Sequence, residues 1–122
     1  RSYQEEAPLA LLANDPTSFS RLWALAVGNQ LPRPAAPAVD FRNRSVAAFF
    51  WGLKPTGGYG LKVVGVTYAG ETARVVLSLS APKPGAITTQ ALTSPYVVLE
   101  LRKVRRVVFA DPSGKVLAEA RD

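Results

Sequence analysis

Few side chains in this sequence are of the types that catalyse reactions or hold metal ions. The 122 residues include no Cys, no His and no Met, which excludes Cys nucleophiles, Ser-His-Asp triads and zinc sites built on thiolates or imidazoles. Catalysis by two carboxylates needs a pair that faces one cleft, and the acidic residues of the central part are Asp40, Glu71 and Glu100. Glu71 falls in a predicted turn, and Glu100 shares a strand face with Arg102, which indicates an ion pair. The sequence therefore predicts a protein that is not an enzyme, with no cofactor and no metal ion.

The glycine-rich residues 54–60, KPTGGYG, come closest to a phosphate-binding motif. A P-loop needs GxxxxGK[ST] between a strand and a helix, and a dinucleotide site needs GxGxxG at the start of a helix. Neither spacing is present, and β-branched residues follow the stretch. We therefore predict a turn between two strands, in which glycine supplies the positive φ.

Positive charge is concentrated in the centre of the chain. Fifteen Lys and Arg against nine Asp and Glu give a net charge of +6. Nucleic-acid binders combine basic strands with exposed aromatic rings, so an anionic ligand, either nucleic acid or a cell-envelope polyanion, is the alternative function. Its candidate residues are Arg102, Lys103, Arg105 and Arg106. Nucleic acid is not the favoured partner, because the aromatic run at residues 49–51 fits a buried strand better than a base-stacking surface.

The chain is long enough for one domain with its own core. We interpret residues 1–14 as an N-terminal tail and residues 15–122 as the domain. Asp15 followed by Pro16 is typical of a helix start, and apolar residues at helical spacing predict a helix from there to Val27. Its apolar face consists of Phe19, Leu22, Trp23, Ala26 and Val27. We expect Phe19, Trp23 and Val27 to be buried against a sheet. A proline-rich connector follows at residues 31–38.

Alternating apolar and polar residues predict about six to seven strands beyond this connector. They lie at residues 39–41, 45–53, 59–69, 72–80, 96–103, 105–110 and 115–120. The expected fold is α+β: a mainly antiparallel sheet, half-open barrel or sandwich, with one N-terminal helix packed on it. No stretch of the sequence approaches the ~20 apolar residues that a membrane span needs. Because the sequence opens on Arg1 rather than Met, we expect a fragment or a processed mature chain, and a removed signal segment would fit such a start.

The longest stretch without a helix or strand pattern is residues 81–95. Irregular segments of this length in a compact domain are usually functional or mobile. The residues are apolar or carry hydroxyl groups, and almost none is charged. Such a composition fits a loop packed on its own domain, which is the favoured interpretation, and it also fits a loop that contacts a partner.

Two motifs precede apolar strands: KPTGGY at residues 54–59 and TSPY at residues 93–96. Together with VDF at residues 39–41, the apolar strand through Trp51-Gly52 and the loop sequences PKPG and QALT, they resemble the C-terminal domain of the protease complex subunit PrcB family. The resemblance spans Phe19 to Lys103. The pair of motifs is more specific than either motif alone.

The resemblance implies a non-catalytic extracytoplasmic domain that binds a protein, either secreted or lipid-anchored at a bacterial cell envelope. The family takes its name from an accessory subunit of a subtilisin-like surface protease, so such a protease is the implied partner. The candidate protein-binding residues are Gly57, Gly58, Tyr59, Leu92, Pro95 and Tyr96. If the strands after the two motifs run in the same direction, Tyr59 and Tyr96 lie at one end of the domain. There they either flank a shared surface under the long loop or pin that loop to the domain.

Overall fold

The computed structural model describes residues 3–28 and 30–122. This part of the chain contains one helix and seven strands, which in chain order are β1 (Leu9–Ala13), α1 (Pro16–Val27), β2 (Arg44–Phe50), β3 (Gly60–Ala69), β4 (Thr72–Ser80), β5 (Tyr96–Arg102), β6 (Arg106–Ala110) and β7 (Val116–Arg121). Within the same residues, no helix has the length and apolar character that crossing a membrane requires.

The strands form two sheets that pack against each other. The three-stranded sheet has the order β1-β2-β5, and the four-stranded sheet has the order β3-β4-β6-β7. β1 lies against β7 where the sheets meet on one side. On the other side, β5 and β3 are edge strands, so the sheets do not close into a barrel. This arrangement confirms the predicted α+β fold of mainly antiparallel strands with one packed helix.

One strand pair departs from the antiparallel pattern. β6 pairs with β4 in parallel. Residues 103–105 carry the chain from the first sheet into the second, where the main-chain N–H groups of Arg105 and Arg106 donate to the Glu71 carbonyl at 2.8 and 3.2 Å. β6 therefore enters beside the start of β4 and runs in the same direction. The alternation within single strands carries no information about this pairing.

The helix α1 begins as the sequence predicts. The Asp15 carboxylate accepts hydrogen bonds from the main-chain N–H of Ser18 at 2.8 Å and from its hydroxyl at 2.9 Å, which caps the first turn. The buried residues of the helix are Phe19, Leu22, Ala26 and Val27. The expectation that Trp23 is buried against the sheet is wrong. Trp23 is half-buried, because it lies against the proline-rich connector and donates its Nε1 proton to the Pro34 carbonyl at 2.9 Å.

β2 lies between the two other layers of the domain and is buried on both faces. Alternate side chains such as Val46 and Phe50 face α1, and the side chain of Phe49 between them faces the four-stranded sheet. Phe49 contacts Phe109 of β6 with ring centroids 5.3 Å apart. A continuous apolar run is typical of a strand that is covered on both faces. The domain therefore has three layers, with the helix outside the three-stranded sheet.

A buried polar cluster joins β1, β2 and the segment before β6. The hydroxyl of Ser45, which is fully buried, accepts a hydrogen bond from the Val104 N–H at 3.0 Å and donates to the side-chain oxygen of Asn14. The side-chain amide of Asn14 donates to the Val104 carbonyl at 2.9 Å and to the Asp122 carboxylate at 2.8 Å. These bonds satisfy polar groups from segments that are distant in the sequence, so they hold both ends of the chain against β2.

Two segments fold differently from the sequence interpretation. Leu9–Ala13, expected in an N-terminal tail, form β1, and their side chains pack under α1 and against the second sheet. Residues 39–41, expected to be a strand, lead instead into a turn. The Asp40 carbonyl accepts the Arg44 N–H at 2.9 Å, and the Asp40 carboxylate accepts the Asn43 side-chain amide at 2.8 Å. Asp favours turns because its short side chain bonds to nearby groups. The other predicted strands are confirmed, with ends that differ by a few residues.

Candidate protein-binding site

Residues 54–59, residues 81–95 and Tyr96 lie together at one end of the sandwich, which we call the loop end. The main chains of Lys54 and Thr93 form two reciprocal hydrogen bonds, from the Lys54 N–H to the Thr93 carbonyl at 2.7 Å and from the Thr93 N–H to the Lys54 carbonyl at 3.0 Å. This pairing joins the turn after β2 to the end of the long loop. The loop therefore packs on its own domain, in agreement with the favoured interpretation of its composition.

The two glycines of the turn lie directly against the long loop. The Gly57 N–H donates to the Thr89 carbonyl at 2.9 Å. Gly58 has a φ of +87°, and a Cβ at this position would lie 2.9 Å from Pro82 Cγ and 3.1 Å from Thr88 Cγ2. Both the backbone conformation and the lack of space therefore favour glycine at this point.

The middle of the long loop makes a second turn and leaves apolar side chains in solvent. The Lys83 carbonyl accepts the Ala86 N–H at 3.0 Å. Between them, proline is followed by Gly85 with a φ of +81°, the arrangement typical of a type II turn. Beyond this turn Ile87 is fully exposed, and Leu92 is 68% exposed. Loops on a rigid support commonly carry binding residues, so these two side chains are candidates for contact with a partner.

Tyr59 packs on the side of the loop end that faces the four-stranded sheet. Its ring meets the ring of Trp51 edge-on, with centroids 5.6 Å apart. Lys54 Nζ lies 4.3 Å from the centroid of the Trp51 ring and 5.8 Å from that of the Tyr59 ring. Such distances are those of cation–π contacts. The two rings therefore hold the lysine of the turn in place beside the core.

Tyr96 packs on the other side of the three-stranded sheet, toward α1. Its ring stacks on Phe50 with centroids 5.9 Å apart, and its hydroxyl accepts a hydrogen bond from Gln30 Nε2 at 3.2 Å. A cavity of about 200 Å³ lies beside these residues, bounded also by Tyr3 and Leu25. The rings of Tyr59 and Tyr96 therefore lie against different layers of the domain.

β3 and β5 run in the same direction, which brings the two motifs to one end. Near their starts the Lys54–Thr93 pairing joins the turn to the loop, and at their ends the Tyr68 hydroxyl accepts the Arg102 N–H at 3.2 Å. The Pro95 carbonyl accepts the Trp51 N–H at 3.0 Å, which anchors the end of the loop to β2. The loop end thus contains all six candidate residues: Gly57, Gly58, Tyr59, Leu92, Pro95 and Tyr96. The contacts of both tyrosine rings fit the pinning role.

The N-terminal residues also reach the loop end, which the sequence interpretation missed. The Leu53 N–H donates to the Glu5 carbonyl at 2.8 Å, and the Ser94 hydroxyl donates to the Tyr3 carbonyl at 2.8 Å. The ring of Tyr3 lies 5.5 Å from that of Phe50. Burial, reinforced by the charge of Glu5, raises the pKa of the Tyr3 phenol. An aromatic residue in an otherwise polar segment is the one sequence signal for this contact.

The first two basic residues of the anionic-ligand alternative make contacts within the domain. The guanidinium of Arg102 stacks on the ring of Tyr68, with Cζ 3.8 Å from the ring centroid. Lys103 Nζ donates to the Phe41 carbonyl at 2.7 Å. These contacts use the charged groups to hold β3 and the turn before β2 against the end of β5.

The other two basic residues lie in the four-stranded sheet or next to it. Arg106 forms an ion pair with Glu119 of β7, with nitrogen and oxygen 2.9 Å apart, on the face away from the core. Arg105 precedes β6 and is exposed. The four basic residues therefore lie at the end of β5, in the connection that follows it and at the start of β6.

Two of the carboxylates of the domain stabilise local structure, those of Asp15 and Asp111. Within residues 3–28 and 30–122, no group of three or more acidic side chains lies close enough together to hold a metal ion. The hydrogen bond from the Ser18 main chain lowers the pKa of Asp15, and the bond from the Ser113 hydroxyl lowers the pKa of Asp111. These bonds belong to the cap of α1 and to the turn between β6 and β7.

One comparison with known proteins gives a match in the central part of the chain. Residues 45–102 match the family model described as PrcB C-terminal. The resemblance seen in the sequence is thereby confirmed. The match runs from β2 to the end of β5 and includes the turn and the loop of the loop end, but it begins after α1 rather than at Phe19. Searches of curated proteins and of solved structures give no match.

Proposed function

We propose that this protein is a non-catalytic, extracytoplasmic domain that binds a partner protein, as an accessory subunit of a secreted or surface subtilisin-like protease. The observation that carries the proposal is the match of residues 45–102 to the PrcB C-terminal family, whose name refers to a protease complex. The same residues build the loop end, so the matched segment contains a candidate binding surface.

The geometry of the loop end supports a binding role. The long loop is fixed to the turn by the main-chain bonds of Thr89 and Thr93, while the side chains of Ile87 and Leu92 are exposed to solvent. A loop that is already ordered loses less conformational entropy on binding than a free one. We assign the contact itself to Leu92. The support that holds the loop consists of Gly57, Gly58, Tyr59, Pro95 and Tyr96.

Co-purification from the native cell envelope tests the proposal. A tagged chain is cross-linked in the envelope, and the recovered partner is identified by mass spectrometry. We expect a subtilisin-like protease. The variant Leu92→Asp should lower the recovery about tenfold, because it places a charge at an apolar contact. Val116→Asp is the matched control, since it places the same charge on an apolar side chain of β7 that is 48% exposed.

Two outcomes would contradict separate parts of the proposal. Equal recovery with both variants would exclude Leu92 as the contact. Recovery of a specific partner that is not a protease would overturn the assignment to a protease complex and leave the binding role. Thermal unfolding of both variants verifies that neither substitution disturbs the fold.

A further inference from the structure

β5 is an edge strand, and half of its main-chain groups point away from its neighbour β2. The Trp51 N–H bonds to the Pro95 carbonyl at 3.0 Å and the Lys103 N–H bonds to the Asn43 carbonyl at 3.1 Å, one at each end of the pair. In an antiparallel pair, every second residue of a strand bonds to the same neighbour. These two bonds therefore show which residues of β5 bond to β2 and which face away from it. The residues whose N–H and C=O groups face outward are Tyr96, Val98, Glu100 and Arg102.

The first three of these residues, Tyr96, Val98 and Glu100, form what we call the β5 edge. In the part of the chain that the structure describes, no hydrogen bond satisfies their outward main-chain groups. The next outward N–H, that of Arg102, donates to the Tyr68 hydroxyl at 3.2 Å. A row of free N–H and C=O groups at strand spacing is a template for one more strand.

An apolar groove of about 170 Å³ lies beside the β5 edge, on the side of α1. Its lining comes from the helix, the segment between the helix and β2, β2 and β5, and all of it is apolar except Glu100: Phe19, Trp23, Pro37, Val39, Val46, Val98, Leu99 and Glu100. Side chains of an added strand would alternate between this side and the other. Every second residue of that strand would therefore direct its side chain toward the groove, which favours apolar residues at alternate positions.

Two exposed arginines lie side by side at the end of the β5 edge. Arg44 of β2 lies directly opposite Arg102 of β5, and both residues are exposed. Like charges at opposed positions of a sheet destabilise the pairing. Among residues 3–28 and 30–122, neither guanidinium takes part in an ion pair. A carboxylate on the added strand would neutralise this pair of charges.

Two other arrangements are less favourable. β3 is the corresponding edge of the four-stranded sheet, but a bulge between Val63 and Gly65 interrupts its regular spacing, and bulges hinder edge pairing. A second copy of the chain would carry the same net charge of +6, so the two copies would repel each other.

We propose that the β5 edge binds an extended segment of a partner protein as an added strand, apolar at alternate positions and acidic at the end beside Arg44 and Arg102. Main-chain hydrogen bonds would supply affinity, and the groove would supply selectivity. The proposal goes beyond the function proposed above, because it concerns the strand rather than the exposed loop and does not require the partner to be a protease.

Selection of peptides on the folded chain tests the proposal. A displayed library of random decapeptides is selected on the protein, and the enriched peptides are synthesised. Glu100→Pro removes the outward N–H of an exposed residue while the bonds to β2, made by its neighbours, remain. Glu100→Ala is the matched control, because it removes the carboxylate and keeps the N–H. We expect Glu100→Pro to weaken binding about tenfold, as for the loss of a main-chain hydrogen bond, and Glu100→Ala to change it less than about twofold.

A measurement on the peptide avoids any effect of proline on folding. A strand uses every second N–H to pair with its neighbour. A selected peptide has two sets of alternate residues, and only one set should pair with β5. We therefore expect N-methylation of that set to abolish binding and N-methylation of the other set to leave binding unchanged. Amide signals of the wild-type chain should shift at the β5 edge.

Three results would overturn the proposal. The first is that every enriched peptide binds Glu100→Pro and Glu100→Ala with the same affinity, and that N-methylation of either set of alternate residues has the same effect on binding. The second is that the amide shifts lie at residues 54–59 and 81–95, which would place the peptides on the loop end. The third is a dimer in sedimentation that Glu100→Pro dissociates, which would make a second copy the occupant. None of these results depends on whether a protease is the partner of the loop end.

Discussion

Replacing Gly58 by Ala tests whether the turn after β2 holds the long loop in place. Two effects should add in this variant. The φ of +87° is unfavourable for a residue with a Cβ by roughly 1–2 kcal/mol. The new Cβ would also lie 2.9 Å from Pro82 and 3.1 Å from Thr88, so the loop must move and strain or lose the bond from the Gly57 N–H to the Thr89 carbonyl, worth about 0.5–1.5 kcal/mol. We therefore expect a total loss of about 1.5–3.5 kcal/mol in the free energy of unfolding.

Gly85→Ala is the matched control for this variant. Gly85 has a φ of +81°, close to that of Gly58, but no atom lies within 4 Å of the position of a Cβ. Only the backbone effect of roughly 1–2 kcal/mol should therefore appear. Urea unfolding of both variants gives the two free energies, and hydrogen exchange of the Gly57 N–H reports the contact directly. Equal losses of stability, with unchanged exchange at Gly57, would refute the idea that the turn holds the loop.

Three further predictions concern the core, the polar cluster and the helix cap. Ser45→Ala leaves the buried Val104 N–H without its acceptor, so urea unfolding should show a loss of about 1–3 kcal/mol; a loss within error would contradict the role of the cluster. Phe49→Ala should destabilise the domain by about 3–5 kcal/mol, and Trp23→Ala by clearly less, because Trp23 is half-buried; the reverse order in the same assay would contradict the three-layer packing. The lowered pKa of Asp15 means that its charged form stabilises the fold above the ordinary Asp range near pH 4, and that this contribution is lost as the pH falls through the folded-state pKa. The stability of the wild type relative to Asp15→Asn should therefore decrease at low pH, and parallel stability profiles of the two proteins would count against the cap.

Local patterns were sufficient for the elements that bury one face against a single neighbouring layer. In β4 the alternation of Ala73, Val75 and Leu77 against Arg74 and Ser78 predicts the strand and its inward face, and the structure buries these three apolar residues. In α1 the cap at Asp15 and the apolar spacing predict the helix. These features arise from neighbours three or four residues away at most, so the sequence displays them directly.

The features that the sequence did not reveal depend on contacts between distant segments. β1 has apolar side chains on both faces because it lies between α1 and the second sheet, so it shows no alternation to distinguish it from an apolar tail. The side of the sheet on which the rings of Tyr59 and Tyr96 pack also depends on such contacts, in this case with residues of β2 and the residue after it. The adjacent residues Phe50 and Trp51 point to opposite sides of β2, so a ring that packs on one and a ring that packs on the other lie in different layers. The position of the two tyrosines at the starts of strands predicts the end of the domain at which they lie, but it does not predict the side of the sheet on which their rings pack.

The limits of the family match separate two structural roles within one fold. Residues 45–102 contain both the loop end and the β5 edge, so both candidate interaction surfaces lie inside the matched segment. Part of the burial of β2, however, comes from outside it: Phe19 and Leu22 of α1 pack on one face, and Phe109 of β6 adds to the packing of β4 on the other. The segment that carries the binding surfaces therefore does not by itself cover the helix-side face of its central strand. The flanking helix supplies that cover.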